Sequence, residues 1–275
     1  MKYATSTLGC LDWDLPMLLE RLPRYGYDAV DFRGLAGVFN LWELPEFSAN
    51  AHAAARRLAD AGLAVSCFSA SARLVWQNAG EHDRALDEIR RLAELCPIFG
   101  AGQIRVFGGD LGGLSRADGL ARGRELLAQM LEITAPAGVR LAVETHDAWT
   151  HSADILALIE GATPDRVGLC WDVKHPYWAG QETPAFTWSQ LGPRVINTHW
   201  KDTLRDHATG RDRLCLCGDG VLPLADCLDL LAAGGYAGYY TLEWEQKWHP
   251  YLADAEVAFP AFVQHMHQLR ARIGA

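Results

Sequence analysis

The sequence predicts an α/β fold, a single-domain (β/α)8 TIM barrel over residues 1–275, and three observations point there. Short β-prone runs alternate with longer stretches rich in Ala, Leu and Arg, the pattern of βαβ units and a parallel sheet. The alternation repeats eight times in 275 residues, which suits a closed barrel better than an open doubly wound sheet. The G-x-G-x-x-G fingerprint of dinucleotide-binding open sheets is absent. Gly108-Gly109 and Gly112-Gly113 do not match it and read as a loop after the fourth strand.

Taken in order, YATSTL (3–8) reads as the first strand and 14–24 as its helix. DAVDFR (28–33) is followed by a helix over 48–61, and LAVSCFS (63–69) by one over 80–98. GQIRVF (102–107) leads to 115–135, VRLAVETH (139–146) to 151–160, and RVGLCWD (166–172) to 184–191. RVINTHWK (194–201) leads to 223–233, and GYYTLEW (238–244) to a closing helix over 251–271.

Composition narrows the function classes. Hydrophobic residues make up 49% and charged residues 21%, a globular balance. A chain this long buries about three quarters of its unfolded surface and needs no metal to fold, so a bound metal would serve chemistry. The net charge of −9 argues against nucleic-acid binding, which rests on neutralising phosphates. No apolar run reaches the ~18 residues of a membrane span, and MKYATSTLGCLDWDLP carries no secretory pattern. The seven cysteines, odd in number and without a C-x-x-C pair, read as reduced thiols of a cytoplasmic protein. Cys215 and Cys217 are too closely spaced for a typical zinc pair.

Side chains alternate between the faces of a strand, and the last four strands share one pattern. Leu141 and Val143, Leu169 and Trp171, Ile196 and Trp200, and Leu242 and Trp244 fall on an apolar face suited to the outer helices. The opposite parity carries Glu144 and His146, Cys170 and Asp172, Asn197, His199 and Lys201, and Glu243 and Glu245. In a barrel that face points inward, and active sites sit at the carboxyl ends of the strands. Glu144, Asp172, His199 and Glu243 thus reach one rim. Three converging carboxylates repel one another unless a counter-charge is present. A single divalent cation (Mn²⁺, Mg²⁺, Co²⁺ or Zn²⁺) suits carboxylate and imidazole donors; the alternative is four separately solvated or paired residues.

The motifs VETHD (143–147), CWDVKH (170–175), THWKD (198–202) and LEWE (242–245), with GYDAVDFRG (26–34) and the block from GDG (218–220) to GGYAGYYTLEWE (234–245), cover most of the chain. They resemble the xylose-isomerase-like superfamily of sugar isomerases and epimerases. The resemblance implies that Glu144, Asp172, His199 and Glu243 hold the metal and that His175 touches substrate; the alternative for His175 is a surface loop. It also implies proton transfer next to a carbonyl through a metal-bound enediolate, with Glu144 and Glu243 as acid and base. Lys201 stands where the ketose 3-epimerases of the family typically have arginine, a departure that leaves room for another substrate. It reads either as a substrate contact or as an internal partner of Asp202 or Glu245. Arg105 and Asp31 read as an ion pair inside the barrel or as substrate contacts, and His146 as a substrate contact or a support for the metal site. Trp149, Trp178 and Trp248 are expected in the barrel mouth, stacking on a sugar ring. Trp76 is expected in a wall or lid, and Trp171, Trp200 and Trp244 against the helices.

Two enzymatic readings follow: isomerisation or epimerisation of a keto- or aldo-sugar, and dehydration of an inosose- or 3-dehydroshikimate-type substrate. An endonuclease IV-like DNA-repair enzyme would need further histidines, and SCFSASARLVW, RVFGGDLGG and RDRLCLC contain none. A non-catalytic sugar binder would not need two opposed carboxylates. The expected partner is a small keto-sugar or cyclitol, with no nucleic acid or membrane, and a homo-oligomer stays open. Lys201, Arg205, Arg211, Arg213 and Lys247 follow strands seven and eight without a glycine-rich anion nest, so a non-phosphorylated substrate is expected.

Overall fold

The computed structural model describes residues 1–205 and 212–273. In chain order its strands are β1 (Lys2–Ser6), β2 (Ala29–Phe32), β3 (Ala64–Arg73), β4 (Gln103–Phe107), β5 (Arg140–Glu144), β6 (Val167–Asp172), β7 (Val195–Trp200), β8 (Asp202–Arg205), β9 (Asp212–Cys215) and β10 (Tyr239–Leu242). All except β8 and β9 form one closed barrel, in the order β1-β10-β7-β6-β5-β4-β3-β2. Its pairings are parallel. The α/β barrel expected from the alternation is the fold observed.

The helices are α1 (Leu15–Tyr25), α2 (Ala51–Asp60), α3 (Ala79–Phe99), α4 (Arg116–Thr134), α5 (Ser152–Leu158), α6 (His175–Trp178), α7 (Pro184–Leu191), α8 (Leu224–Ala233) and α9 (Ala255–Ile273). Their starts are written in the chain. Asp14, Asn78, Ser115 and Thr183 each accept a backbone N–H of the first turn of α1, α3, α4 and α7, satisfying donors that would otherwise be orphaned.

Trp171, Trp200, Trp244, Leu141, Val143 and Leu169 are buried. Trp171 lies 5.9 Å from Trp188 of α7, ring to ring, as an outward residue packing on a helix should. Two local expectations are corrected. Ile196 does not continue the outward face: the β6–β7 register shifts between Leu169 and Cys170, and a Cβ on Gly168 would meet Ile196 at 2.6 Å. A bulge adds one residue to a strand and reverses parity locally, so Ile196 packs on the Gly168 face. The antiparallel pair β8–β9 was not expected, because its charged residues read as loop.

Asp202 organises the chain beyond that pair. Its carboxylate accepts the N–H groups of Thr203 (2.8 Å), Gly218 (2.9 Å), Gly220 (3.1 Å) and Leu222 (3.1 Å). A Cβ at Gly220 would lie 2.1 Å from Asp202 Oδ1, so the turn needs glycine there. No described helix is long and apolar enough to cross a membrane.

Candidate metal centre

Glu144 ends β5, Asp172 ends β6, His199 lies in β7 and Glu243 follows β10. The registers Asp172↔His199 and Thr241↔His199 bring the ends of these strands to one level. Glu144, Asp172 and His199 are fully buried and Glu243 is 5% exposed. One donor atom from each lies within 4.8 Å of every other.

His199 is the hub. Its Nδ1 lies 2.8 Å from Glu144 Oε1 and 3.3 Å from Glu243 Oε1. On the other side of the ring, Nε2 lies 3.2 Å from Asp31 Oδ2. A carboxylate behind an imidazole sets its tautomer and aims the opposite nitrogen, so Asp31 directs Nδ1 at the two glutamates. Burial works against a charge on His199, yet Glu243, Glu144 and the other anions around it raise its pKa well above the usual value. Asp172 Oδ1 accepts the N–H groups of Lys174 (2.8 Å) and His175 (3.2 Å), which holds the carboxylate at the start of α6.

Two internal cations join the cluster. Lys201, 1% exposed, sets Nζ 2.9 Å from Asp172 Oδ2 and 2.5 Å from Glu245 Oε1, and it donates to Glu243. Burial opposes its charge, but Asp172, Glu243 and Glu245 overcome that and raise its pKa. Burial would likewise raise the pKa of Glu243, whereas Lys201 and His199 hold it well below the usual carboxylate range. Arg105 Nε lies 3.3 Å from Glu144 Oε2, and its Nη1 donates to Ala70 O at 2.9 Å. The counter-charge that the carboxylates require is thus partly supplied by the chain itself. Five carboxylates (Asp31, Glu144, Asp172, Glu243 and Glu245) still face only two permanently charged cations, Lys201 and Arg105, in these contacts. Glu144 Oε2 and Asp172 Oδ2 are buried and face Arg105 and Lys201 as ion-pair partners, without a well-aligned hydrogen bond. Converging donors and surplus negative charge fit a divalent cation. Oxygen and imidazole donors suit Mn²⁺, Mg²⁺, Co²⁺ or Zn²⁺ alike. Among the described residues, groups close enough to share an ion all contain Glu144 and His199, one of them with Cys170. Cys215 and Cys217 belong to none, and all seven cysteines are unpaired.

The remaining candidates border this cluster unequally. His175 Nε2 is 3.6 Å from Asp172 Oδ2, buried and without a hydrogen bond, and burial pushes its pKa down to about 4. Its ring meets that of His146 at 4.3 Å. His146 Nδ1 is 2.8 Å from Asp147 Oδ1; burial disfavours its charged form, but Asp147 and Glu144 raise its pKa. Trp178 lies under the Arg205 guanidinium at 5.0 Å, beside a cavity of about 150 Å³. Trp149 is not in the mouth. It is fully buried and donates to Gly109 O at 2.7 Å, and a Cβ on Gly108 would lie 2.1 Å from its ring. Trp248 is 55% exposed and stacks on Phe39. Trp76 is half-buried, under Arg122. Arg211 lies outside the described residues. Arg33, beyond β2, was not singled out from the sequence, although it shares the parity of Asp31 two residues earlier.

A closed parallel barrel whose carboxyl rim gathers three carboxylates and an imidazole around one point is a barrel with a candidate metal centre. The profile of the xylose isomerase-like TIM barrel family matches residues 19–261, and the chain belongs to that family. No curated protein matches it significantly in sequence. Solved structures share the fold at low identity. The IolI protein with a bound zinc atom superimposes with a TM-score of 0.82 at 16% identity, covering 99% of each chain. The probable 3-DHS dehydratase of petrobactin synthesis from Bacillus anthracis gives 0.79 at 15%, covering 97% of this chain and 99% of its own. The 3-keto-D-glucoside 4-epimerase from E. coli gives 0.74 at 15%, covering 98% and 99%.

Proposed function

We propose that this barrel is a divalent-metal-dependent isomerase or epimerase that moves a proton next to the carbonyl of a small keto-sugar or cyclitol. One observation carries the reading: Glu144 and Glu243, from different strands, bring an oxygen each to the same imidazole nitrogen, at 2.8 and 3.3 Å. Glu144, Asp172, His199 and Glu243 would hold the ion. Bound there, it would act as a Lewis acid on the oxygens of a hydroxy-ketone. Two carboxylates on separate strands can approach the carbon beside the carbonyl from two sides, one removing a proton and one returning it. Their partners differ. Lys201 lowers the basicity of Glu243, while Arg105 steadies Glu144 from below; Arg105, 1% exposed, positions Glu144. Lys201, at the centre of three carboxylates, spends its three N–H donors on Asp172, Glu243 and Glu245 and holds them in place. His175, kept neutral by burial, can donate a hydrogen bond to a substrate hydroxyl, with Trp178 and His146 flanking it.

Dehydration of a keto-cyclitol or keto-acid is the second reading. A relative of the same fold is described as a probable dehydratase, and His146, whose protonated form Asp147 favours, would be the acid for a leaving hydroxyl. Proton NMR in D₂O with the Mn²⁺- or Mg²⁺-supplemented protein and a panel of ketoses and inososes separates the two. Deuterium beside the carbonyl with an epimer forming supports the first, and loss of that proton with a vinyl signal supports the second. Glu144→Gln and Glu243→Gln are each expected to lose at least ~100-fold in turnover. Near wild-type rates in both would overturn the mechanism.

A further inference from the structure

One buried thiol lies against the candidate metal centre, and the proposed chemistry leaves it unused. Cys170 stands on β6 two residues before Asp172, so the two share a face. It pairs in register with Glu144 of β5 on one side and with Asn197 of β7 on the other. Register partners on one face are neighbours at about the 4.8 Å strand spacing. Glu144, Cys170 and Asn197 therefore form a row across three strands inside the barrel, and His199 follows two residues along β7. All four are fully buried. One donor atom each from Glu144, Cys170 and His199 lies within 4.8 Å of the others. Among the described residues, Cys170 is the one cysteine in such a group.

Asn197 is an independent sign that this row serves a ligand. Its Oδ1 and Nδ2 are both buried without a hydrogen-bond partner among the described residues, whereas buried side-chain amides are hydrogen-bonded as a rule. An amide oxygen beside a thiol, an imidazole and a carboxylate completes a set of four donors: one sulfur, one nitrogen and two oxygens. Four donors of these kinds are the usual complement of Zn²⁺, while Mg²⁺ and Mn²⁺ prefer oxygen. The rim set of Glu144, Asp172, His199 and Glu243 differs from this one by replacing Cys170 and Asn197 with two carboxylates. Glu144 and His199 belong to both. His199 Nδ1 faces Glu144 and its Nε2 faces Asp31, so the imidazole serves one ion at a time.

We infer that Cys170 gives this barrel a second, inner cation position, formed with Glu144, His199 and Asn197, which takes a thiophilic divalent ion such as Zn²⁺ or Co²⁺ in competition with the rim centre. An oxygen-preferring ion such as Mn²⁺ or Mg²⁺ stays at the rim. The inference rests on the proposed function for the role of the rim. As the metal–sulfur bond forms, the thiol proton leaves to solvent, and nothing is oxidised or reduced. Cys170 shares no ligand group with Asp172 or Glu243, so an ion drawn inwards is withdrawn from the carboxylate Glu243 that proton transfer needs. Zn²⁺ should therefore bind the protein yet support less exchange beside the carbonyl than Mn²⁺.

The test loads the metal-free protein with Co²⁺, Zn²⁺ or Mn²⁺ in turn, wild type beside Cys170→Ser and Cys170→Ala, each checked for its fold by circular dichroism. The Co²⁺-loaded wild type is expected to show a thiolate-to-cobalt charge-transfer band in the near ultraviolet, and both variants to lose it. Zn²⁺ affinity, read by competition with a chromophoric chelator, should fall in the variants by at least the ~10-fold that even an outer partner of a metal ligand is worth. Mn²⁺ affinity, read by its paramagnetic resonance, should stay as in the wild type. A wild type without the band, a band that survives in both variants, or equal losses of Zn²⁺ and Mn²⁺ affinity overturns the inference. A Cys170-dependent band with no deuterium exchange in the Mn²⁺-loaded protein supports the inner position and counts against the proposed function. Exchange with Mn²⁺ and no band does the reverse.

Discussion

At the scale of single residues, the centre depends on side chains that touch neither metal nor substrate. Asp31 is the clearest case. It reaches His199 Nε2 at 3.2 Å, and the ring can present Nδ1 to the glutamates only while Nε2 has that partner. Asp31→Asn replaces an acceptor carboxylate with an amide that can turn its donor towards the ring. Outer partners of a ligating histidine are typically worth 10- to 100-fold in metal affinity. A loss of about that size is expected for Mn²⁺ or Zn²⁺, read by calorimetry, with the fold intact by circular dichroism. Unchanged affinity would show that the ring is aimed by other contacts. Gly108 is a residue-scale constraint of another kind. A methyl there would collide with the fully buried Trp149 at 2.1 Å, and overpacking of this sort costs ~1–3 kcal/mol. Gly108→Ala should therefore lower the melting temperature by several degrees.

At the scale of elements, legibility followed local periodicity. The strands were readable because alternation and β-branched runs are local signals. The convergence of Glu144, Asp172, His199 and Glu243 was readable because parity and position at a strand end place a side chain without tertiary information. What escaped needed partners distant in sequence. Ile196 reversed face through a bulge that shows only in the pairing of β6 with β7. Trp149 is claimed by Gly108 and Gly109, forty residues away, rather than by the mouth. Lys201 and Arg105 were seen singly, but their grip on Asp172, Glu243 and Glu144 depends on barrel closure. The β8–β9 pair is the largest omission, and Asp202 is what holds the segment after it. Four backbone amides converge on that one buried carboxylate. Asp202→Ala would leave them without an acceptor, at ~1–3 kcal/mol for each one that water cannot reach. A drop of at least ~2 kcal/mol in unfolding free energy is expected by denaturant titration, with protease cleavage first between β8 and α8. Cleavage elsewhere first would mean that the hairpin stands without Asp202.

For the whole molecule, the barrel and its candidate metal centre should be thermodynamically separable yet linked. The packed layer of Trp171, Trp200, Trp244 and their aliphatic neighbours is built without any ligand at the rim, so the metal-stripped protein is expected to melt cooperatively. The rim nevertheless concentrates five carboxylates against two fixed cations, and a divalent ion that binds only the folded state adds RT ln(1 + [L]/Kd), about 2.7 kcal/mol at a hundredfold excess over Kd. For a chain of this size each kcal/mol moves the melting temperature by ~2–4 °C. Chelation followed by return of Mn²⁺ or Zn²⁺ should thus lower and then restore it by ~5–10 °C. In Glu243→Gln one donor oxygen becomes an amide and Lys201 loses an ionic partner. The metal-free melting point should then change modestly while the metal-induced rise shrinks, because the variant removes affinity for the ion more than it removes packing. Equal melting points with and without the ion in the wild type would mean that Lys201 and Arg105 already satisfy the rim. The metal-dependent proton transfer proposed for Glu144 and Glu243 would then fall.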